Sequence, residues 1–384
     1  MADITVMRYL YFTILCLIVL ISASTHSHAA MGMDTPAKQA IVIDYDTGLV
    51  LLEKNADERM PTSSMSKVMT TILTFDALKQ DHVKLDTTFL VSEKAWRKGG
   101  SKMFVEVDKS VKVEDLLRGV IIQSGNDATI VLAEGLAGTE EAFADAINRK
   151  AHELGMDNSH FMNASGWPDP NHYSTARDLS KMAVSLIRDY PEFYPIFSET
   201  EFTFNEITQP NRNPLLYRDV GADGIKTGHT EDGGYGLIGS GSRDGRRAIV
   251  VVNGLSSSKE RATESAKLLA WALQSFENKA VISANQPLGD APVMYGKSKT
   301  VAASVSKDLV LTLPKLGGDN WTKTVKLKDS LTAPIKKGQE VGSIVIDVPN
   351  LYSIERPLIA SNDVEELGFF WKMIENARIM IMGK

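Results

Sequence analysis

The sequence predicts an α+β protein in which a mixed antiparallel sheet carries a helical insertion and is followed by a small all-β region and a C-terminal amphipathic helix. Three observations predict it. Strand-like runs occur early, from Ala40 to Asn55, and late, from Gly224 to Leu255, while helical spacing dominates between them. From Lys279 to Ala360 that spacing fades, and short apolar runs separated by Gly, Pro and Asn replace it. From Gly368 to Lys384 it returns, with Phe370, Met373, Ile374, Ala377, Met380 and Ile381 on one stripe.

In the N-terminal segment, Arg8 precedes an apolar run from Tyr9 to Ile21, and small and polar residues follow, ending Ser27-His28-Ala29-Ala30. This is the layout of a secretory signal, so residues 1–29 are read as a leader cleaved after Ala29 or Ala30, and the chain as exported. The one cysteine, Cys16, lies in that run, which leaves the mature chain without disulfides or a catalytic thiol. Thr13-Ile14-Leu15 lacks the small residue that lipidation at Cys16 would require. A length of 384 residues with 43% hydrophobic and 23% charged residues fits a soluble globular protein with a sizeable core. The net charge of -6 argues against broad nucleic-acid binding.

A first large domain is expected over residues 37–277. Ala40 to Asn55 reads as two strands joined at Asp46-Thr47-Gly48, a hairpin turn. From Pro61 to Leu78, Met65, Val68, Met69, Ile72, Phe75 and Leu78 recur at helical spacing, and Pro61-Thr62-Ser63 mark the start of that helix. Short strands are expected at Phe89–Val91 and Met103–Val105, then helices over Val113–Ile122, Asp127–Leu136, Glu140–Leu154 and Asp178–Arg188. Ser124-Gly125-Asn126 forms a turn between two of these helices. Strands follow at Thr200–Phe204, Gly224–His229, Tyr235–Ser242 and Arg247–Leu255, then a helix over Lys259–Phe276. A linker is expected near Asn278. The all-β domain, 279–361, takes strands at Val301–Val305, Leu309–Leu313, Thr324–Leu327 and Ile344–Ile346. Asn362 to Glu366 reads as an acidic linker to the last helix, within 364–384. That helix, about 25 Å long, is too short and too charged to span a bilayer but suits its surface, the alternative being a helix docked on the protein's own core.

Ser64 and Lys67 are three residues apart and share one helix face, so the amine can reach the hydroxyl. A serine needs a base beside it at neutral pH, and lysine serves only when neutral. Lowering an ordinary lysine to a pKa of about 7 requires on the order of 4 kcal/mol, which burial and a second cation can supply. Lys226 is the candidate for that cation. Ser-x-x-Lys also occurs at Ser256–Lys259, in a loop before a helix, and at Ser304–Lys307, expected at the surface of a strand end. Ser-x-Asn recurs at Ser283, whereas Lys226-Thr227-Gly228 occurs once. What singles out Ser64 is the ordered set: helix start, inter-helix turn and strand, about 60 and about 100 residues apart, in a chain with an export signal.

This triplet is similar to the signature of serine β-lactamases and penicillin-binding proteins. From Ala40 to Phe276 the chain closely resembles the low-molecular-mass penicillin-binding proteins that are serine D-alanyl-D-alanine carboxypeptidases. Ser64-x-x-Lys67, Arg118-Gly119 to Gln123-Ser124-Gly125-Asn126-Asp127-Ala128, and Asp223 to Thr230 carry the resemblance. It implies a β-lactamase/transpeptidase-like catalytic domain acting on peptidoglycan stem peptides, with β-lactams as covalent inhibitors and no cofactor or metal. By the same resemblance Ser64 is the nucleophile, Lys67 its base, and Ser124 with Lys226 relays a proton to the leaving amine. Asn126 would orient the acyl peptide, and the backbone N–H groups of Ser64 and His229 would form the oxyanion hole. Thr227, with Arg212 or Arg261, would bind the terminal carboxylate, and Asn163 to Gly166 would floor the site. The family's membrane-attached members also imply a periplasmic enzyme held to the outer face of the cytoplasmic membrane by its last helix. Pro61-Thr62-Ser63-Ser64 is one residue longer than in many relatives, which leaves Ser63 as an alternative nucleophile.

Other classes fare worse on the residues. No glutamate sits in an obvious loop to activate the water that a β-lactamase needs. A binding protein without activity would not need every catalytic position filled. His82, His152, His160, His172 and His229 show no metal-ligand spacing, which disfavours a metallopeptidase.

Overall fold

The structure, a computed structural model, describes residues 32–382, so the leader and Cys16 lie outside it. The chain opens with the hairpin β1 (Gln39–Asp44) and β2 (Val50–Lys54), whose turn is held by Asp44 Oδ1 accepting from the Thr47 N–H at 2.8 Å. A single 3-10 turn, Ser63–Ser66, leads into α1 (Lys67–Lys79), so the expected helix begins later than Pro61. Then come β3 (Thr88–Leu90), α2 (Glu93–Arg97), β4 (Ser110–Lys112), α3 (Val113–Ile121), α4 (Asn126–Ala137), α5 (Glu140–Glu153) and α6 (Ala176–Asp189). Ser92, Thr139 and Thr175 cap α2, α5 and α6 through their side-chain oxygens.

Met103–Val105 is not a strand. Asp127 at the start of α4 accepts the backbone N–H groups of Met103, Phe104 and Val105, and Phe104 sits at φ 70. A buried carboxylate collecting three N–H groups satisfies a loop where a strand would need a partner.

The hairpin β5 (Glu201–Phe204) and β6 (Ile207–Pro210) precedes β7 (Ala222–Thr230), β8 (Gly234–Arg243), β9 (Arg246–Leu255) and α7 (Ser258–Ser275). The main sheet runs β2-β1-β9-β8-β7, antiparallel throughout, which leaves β7 at an edge. Its central strands are apolar on both faces. Ile41, Ile43, Ile249 and Val251 face the helical insertion, whereas Ala40, Val42, Val250 and Val252 pack with Leu268, Leu269 and Leu273 of α7. The sheet is therefore the middle layer of three.

The expected linker at Asn278 is absent. α7 runs directly into β10 (Phe276–Ile282), and the Asn278 side-chain amide donates to Asp44, which also pairs with buried Arg246 at 2.6 Å. The C-terminal region continues with β11 (Gly289–Met294), β12 (Thr300–Ser304), β13 (Leu309–Pro314), β14 (Thr322–Leu327), β15 (Leu331–Thr332), β16 (Glu340–Val348) and β17 (Tyr352–Ala360). They form a six-stranded sheet, β14-β16-β17-β12-β11-β15, and a β10-β13 pair around a separate core. Ser304 belongs to that core, fully buried against Ser361 Oγ at 2.9 Å, rather than to the surface.

The acidic segment 362–366 is not a free linker either. Val364 is buried and bridges Ile335, Glu366 bridges Gly296, and Lys297 pairs with Glu365. The last helix, α8 (Phe369–Met382), starts only after this segment. Its polar residues meet the β-domain: Glu375 pairs with Lys299 at 2.7 Å, Asn376 accepts from the Tyr295 hydroxyl at 2.6 Å, and Lys372 pairs with Glu366. Phe370, Trp371, Met373, Ile374, Met380 and Ile381 are exposed. Among the described residues, no helix is long and apolar enough to cross a membrane.

Candidate active site

Ser64 lies on the 3-10 turn and Lys67 opens α1, so the change from a 3-10 turn to an α-helix brings the two side chains together. Lys67 is fully buried, and its Nζ lies 2.8 Å from Ser64 Oγ, 2.7 Å from Asn126 Oδ1 and 2.6 Å from the Ser165 carbonyl oxygen. Asn126 Oδ1 and the Ser165 carbonyl oxygen can only accept. They hold two of the amine hydrogens, so the third tetrahedral position of Nζ is aimed at Ser64. When that position carries a lone pair, it faces the serine hydroxyl. Burial, followed by the Arg212 guanidinium, brings Lys67 down to about 7 against the opposing pull of Asp127.

Ser63 is placed differently. It sits at φ 50, is buried, and donates its hydroxyl to Thr230 Oγ1 at 3.2 Å. Of the two neighbouring serines, Ser64 is the one beside the base.

Two glycines allow the close packing around this turn. A Cβ at Gly166 would stand 1.8 Å from the Ser63 carbonyl oxygen, and Gly166 has φ 75. A Cβ at Gly228 would stand 2.9 Å from the Thr62 carbonyl oxygen. The loop holding Ser165 and the edge strand β7 thus press on the nucleophile turn from two sides.

Ser124, between α3 and α4, has φ 60 and receives a hydrogen bond from Lys226 Nζ at 3.0 Å. Lys226 also donates to the Thr227 carbonyl oxygen at 3.2 Å. Burial holds Lys226 well below the ordinary lysine range, and Lys67, Arg212 and Arg261 add to the effect. The cation that, after burial, depresses Lys67 most is not the expected Lys226 but Arg212. Arg212 reaches Ser101 Oγ through Nη1 at 2.6 Å and is exposed.

Thr227 is buried on β7, and His229 is exposed and stacks on Tyr235 with ring centroids 3.9 Å apart. Arg261 is not brought to the same place as Arg212. It is buried on α7, with Nη1 3.3 Å from the Gly228 carbonyl oxygen. Asn126 Oδ1 holds Lys67, and its Nδ2 donates to the Gly99 carbonyl oxygen at 2.8 Å. Past Thr230 the cleft opens into a cavity of about 670 Å³ whose walls include Arg59, Pro61, Trp167, Asp169 and Tyr173.

A serine–lysine couple and a second lysine–serine couple beside the edge strand β7 suit acyl transfer to the serine from a peptide laid along that edge. Comparison with known proteins agrees. The family model for D-alanyl-D-alanine carboxypeptidase matches residues 23–257, and that for the penicillin-binding protein 5 C-terminal domain matches 276–366. The chain belongs to the D-alanyl-D-alanine carboxypeptidase family. It is 39% identical over 362 residues to D-alanyl-D-alanine carboxypeptidase DacC of Escherichia coli (strain K12), covering 91% of this chain and 90% of that protein. The solved penicillin binding protein 5 from Haemophilus influenzae superposes with a TM-score of 0.80 at 37% identity, over 87% of this chain and 99% of that one. Penicillin-binding protein D2 from Listeria monocytogenes, in its ampicillin-bound form, matches with a TM-score of 0.57 at 30% identity, over 62% of this chain and 98% of that one.

In this carboxypeptidase the contributions that sequence reasoning missed are mostly from the backbone. The Ser165 carbonyl carries no side-chain signature, although the turn-rich Asn163–Gly166 stretch pointed to its neighbourhood. His172 was considered only as a metal ligand. It is buried, its Nε2 lies 2.8 Å from Ser66 Oγ, and its Nδ1 accepts the Met162 N–H at 3.1 Å. Burial brings it down to about 4, so it is neutral, with the proton on Nε2, and it braces the turn that presents Ser64.

Proposed function

We propose that this enzyme removes the terminal D-alanine from peptidoglycan stem peptides ending in D-Ala-D-Ala, through an acyl-enzyme on Ser64. The observation that carries this reading is Lys67 Nζ at 2.8 Å from Ser64 Oγ, with its other two hydrogens committed to Asn126 and Ser165. Ser64 Oγ attacks the carbonyl carbon of the D-Ala-D-Ala bond while its proton passes to the Lys67 lone pair. The developing oxyanion faces the backbone N–H groups of Ser64 and His229. As the C–N bond breaks, Ser124 gives its hydroxyl proton to the leaving amine and is reprotonated by the proton that Lys67 took from Ser64, passed on through Lys226, which leaves Lys67 neutral again. Water then attacks the ester and gives a proton to neutral Lys67, which returns it to Ser64 Oγ as the C–O bond breaks, freeing the shortened peptide and restoring Ser64.

Thr227 and Arg212 receive the terminal carboxylate, and the upstream part of the peptide runs past His229 toward the cavity beyond Thr230. β-Lactams acylate the same serine and stay there, because the acyl-enzyme has no glutamate-activated water. Purified protein lacking its leader should release free D-Ala from a peptide ending in D-Ala-D-Ala and should keep doing so with a chelator present. No release, or release abolished by the chelator, contradicts the assignment.

The same reading places the enzyme in the periplasm with α8 in the membrane surface, joining catalytic residues 37–277, a β-domain 279–361 and this terminal anchor. Support comes from the polar side of α8 being tied to the β-domain while its apolar side chains are exposed. Burying them could contribute several kcal/mol at about 25 cal/mol per Å², offset in part by helix ordering. The full mature chain should co-sediment with lipid vesicles and resist a high-salt wash, because apolar burial is not screened. A chain ending at Gly368, which keeps Val364 in the β-domain core, should stay in the supernatant with undiminished peptide hydrolysis. Equal sedimentation of both chains would contradict the anchor.

A further inference from the structure

We infer that Arg261 is a positioning residue for the oxyanion donor on His229, acting through the Gly228–His229 peptide group and not by touching the substrate. The inference rests on the assignment of the His229 N–H to the oxyanion hole made above. Arg261 stands in the first turn of α7, behind the sheet edge, with 8% of its surface exposed. Its Nη1 is 3.3 Å from the Gly228 carbonyl oxygen and its Nη2 is 3.3 Å from Ser258 Oγ. Its Nε has no hydrogen-bond partner among the described residues. The guanidinium lies over the Tyr235 ring, 5.5 Å from its centroid, and Tyr235 is both the ladder partner of His229 and stacked on it.

A buried cation is costly to keep, so what it touches matters. In a trans peptide unit the carbonyl and the N–H point in opposite directions. The Gly228 carbonyl points at Arg261 Nη1, so the N–H of the next residue, His229, at the far end of the same peptide group, points away from Arg261. A positive charge donating to the Gly228 carbonyl does two things to the N–H at the far end of the same peptide. It fixes the plane of the group, and it draws electron density toward the oxygen so that the N–H becomes a stronger donor. The Arg261–Tyr235–His229 stack holds the same residue from the side. Arg212 makes none of these contacts and reaches Ser101 Oγ instead.

The test compares wild type, Arg261→Gln and Arg261→Lys on two peptides, one ending in D-Ala-D-Ala carboxylate and the other in its amide. For Arg261→Gln, kcat for acylation should fall roughly tenfold to a hundredfold with little change in KM, a loss smaller than that for removing a whole oxyanion donor. The loss should be equal for both peptides, with partial recovery in Arg261→Lys. A spectroscopic readout is independent of turnover: the ester carbonyl stretch of the penicilloyl-enzyme should move to higher frequency in Arg261→Gln, as expected for a weaker oxyanion hydrogen bond. A loss confined to the carboxylate peptide, or an unmoved carbonyl stretch, would overturn the inference and return Arg261 to carboxylate binding. An inactive wild type would instead remove the underlying reading of the site.

Discussion

Ser64→Ala is expected to lose D-Ala release by roughly 10⁴-fold or more, the scale seen when the nucleophile of a serine hydrolase is removed. The expectation is firm because no neighbour can take over. Ser63 is the nearest hydroxyl in sequence, but it is buried, sits at φ 50 and is engaged with Thr230. The variant should remain folded, since Lys67 keeps Asn126 and Ser165 as acceptors and Ser64 itself is only half-buried. Initial rates of D-Ala release, with the melting temperature measured alongside, check both halves. Activity within tenfold of wild type would mean that another group attacks.

The second large effect belongs to Lys67. Its amine comes down to about 7 through burial and then Arg212, and only the neutral form can accept the serine proton. Acylation should therefore rise with pH, with a midpoint near 7, and level off once Lys67 has lost its proton. The direction follows from the role, since a base works above its pKa and an acid below it. Lys67→Arg keeps a positive charge that cannot be removed in the accessible pH range. It should lower acylation by about 10² to 10⁴-fold, and raising the pH should not restore it. Stopped-flow acylation by a chromogenic β-lactam across pH 5 to 9 measures both. A wild-type rate that falls with pH through 7 would assign the proton-accepting role elsewhere.

The parts of the fold that the sequence reveals are those where one physical demand dominates. Ile41–Ile43 and Ile249–Val252 are apolar at every position because both faces of the central strands are covered, and such runs are unmistakable. Phe276–Ile282 is a strand that reads as a helix end and a linker. Its Glu277, Lys279 and Ala280 are largely solvent-facing, and its ladder partner, β13, lies about 30 residues further on. Segment 362–366 reads as a linker because its acidity masks one residue, Val364, that fills the β-domain core. Met103–Val105 fails the other way, with three apolar residues suggesting a strand where Asp127 imposes a loop.

The site divides along the same line. Ser64 and Lys67 are legible because helical spacing converts directly into a distance, and Lys226 because its motif occurs once. The Ser165 carbonyl and the Gly166 contact with Ser63 join chain segments about 100 residues apart in sequence, and the Gly228 carbonyl meets Arg261 from 33 residues away. Local spacing is silent about those. It is equally silent about the lowering of Lys226, which comes first from burial.

The central claim, that Ser64 is the nucleophile of a penicillin-sensitive carboxypeptidase, is tested most directly by incubating the mature protein with penicillin, digesting it and mapping the modified peptide by tandem mass spectrometry. The predicted result is one stable penicilloyl group on Ser64, absent from Ser64→Ala and persisting long after free drug is removed. A penicilloyl group on Ser63, or rapid release of hydrolysed penicillin with no adduct to isolate, would contradict the account.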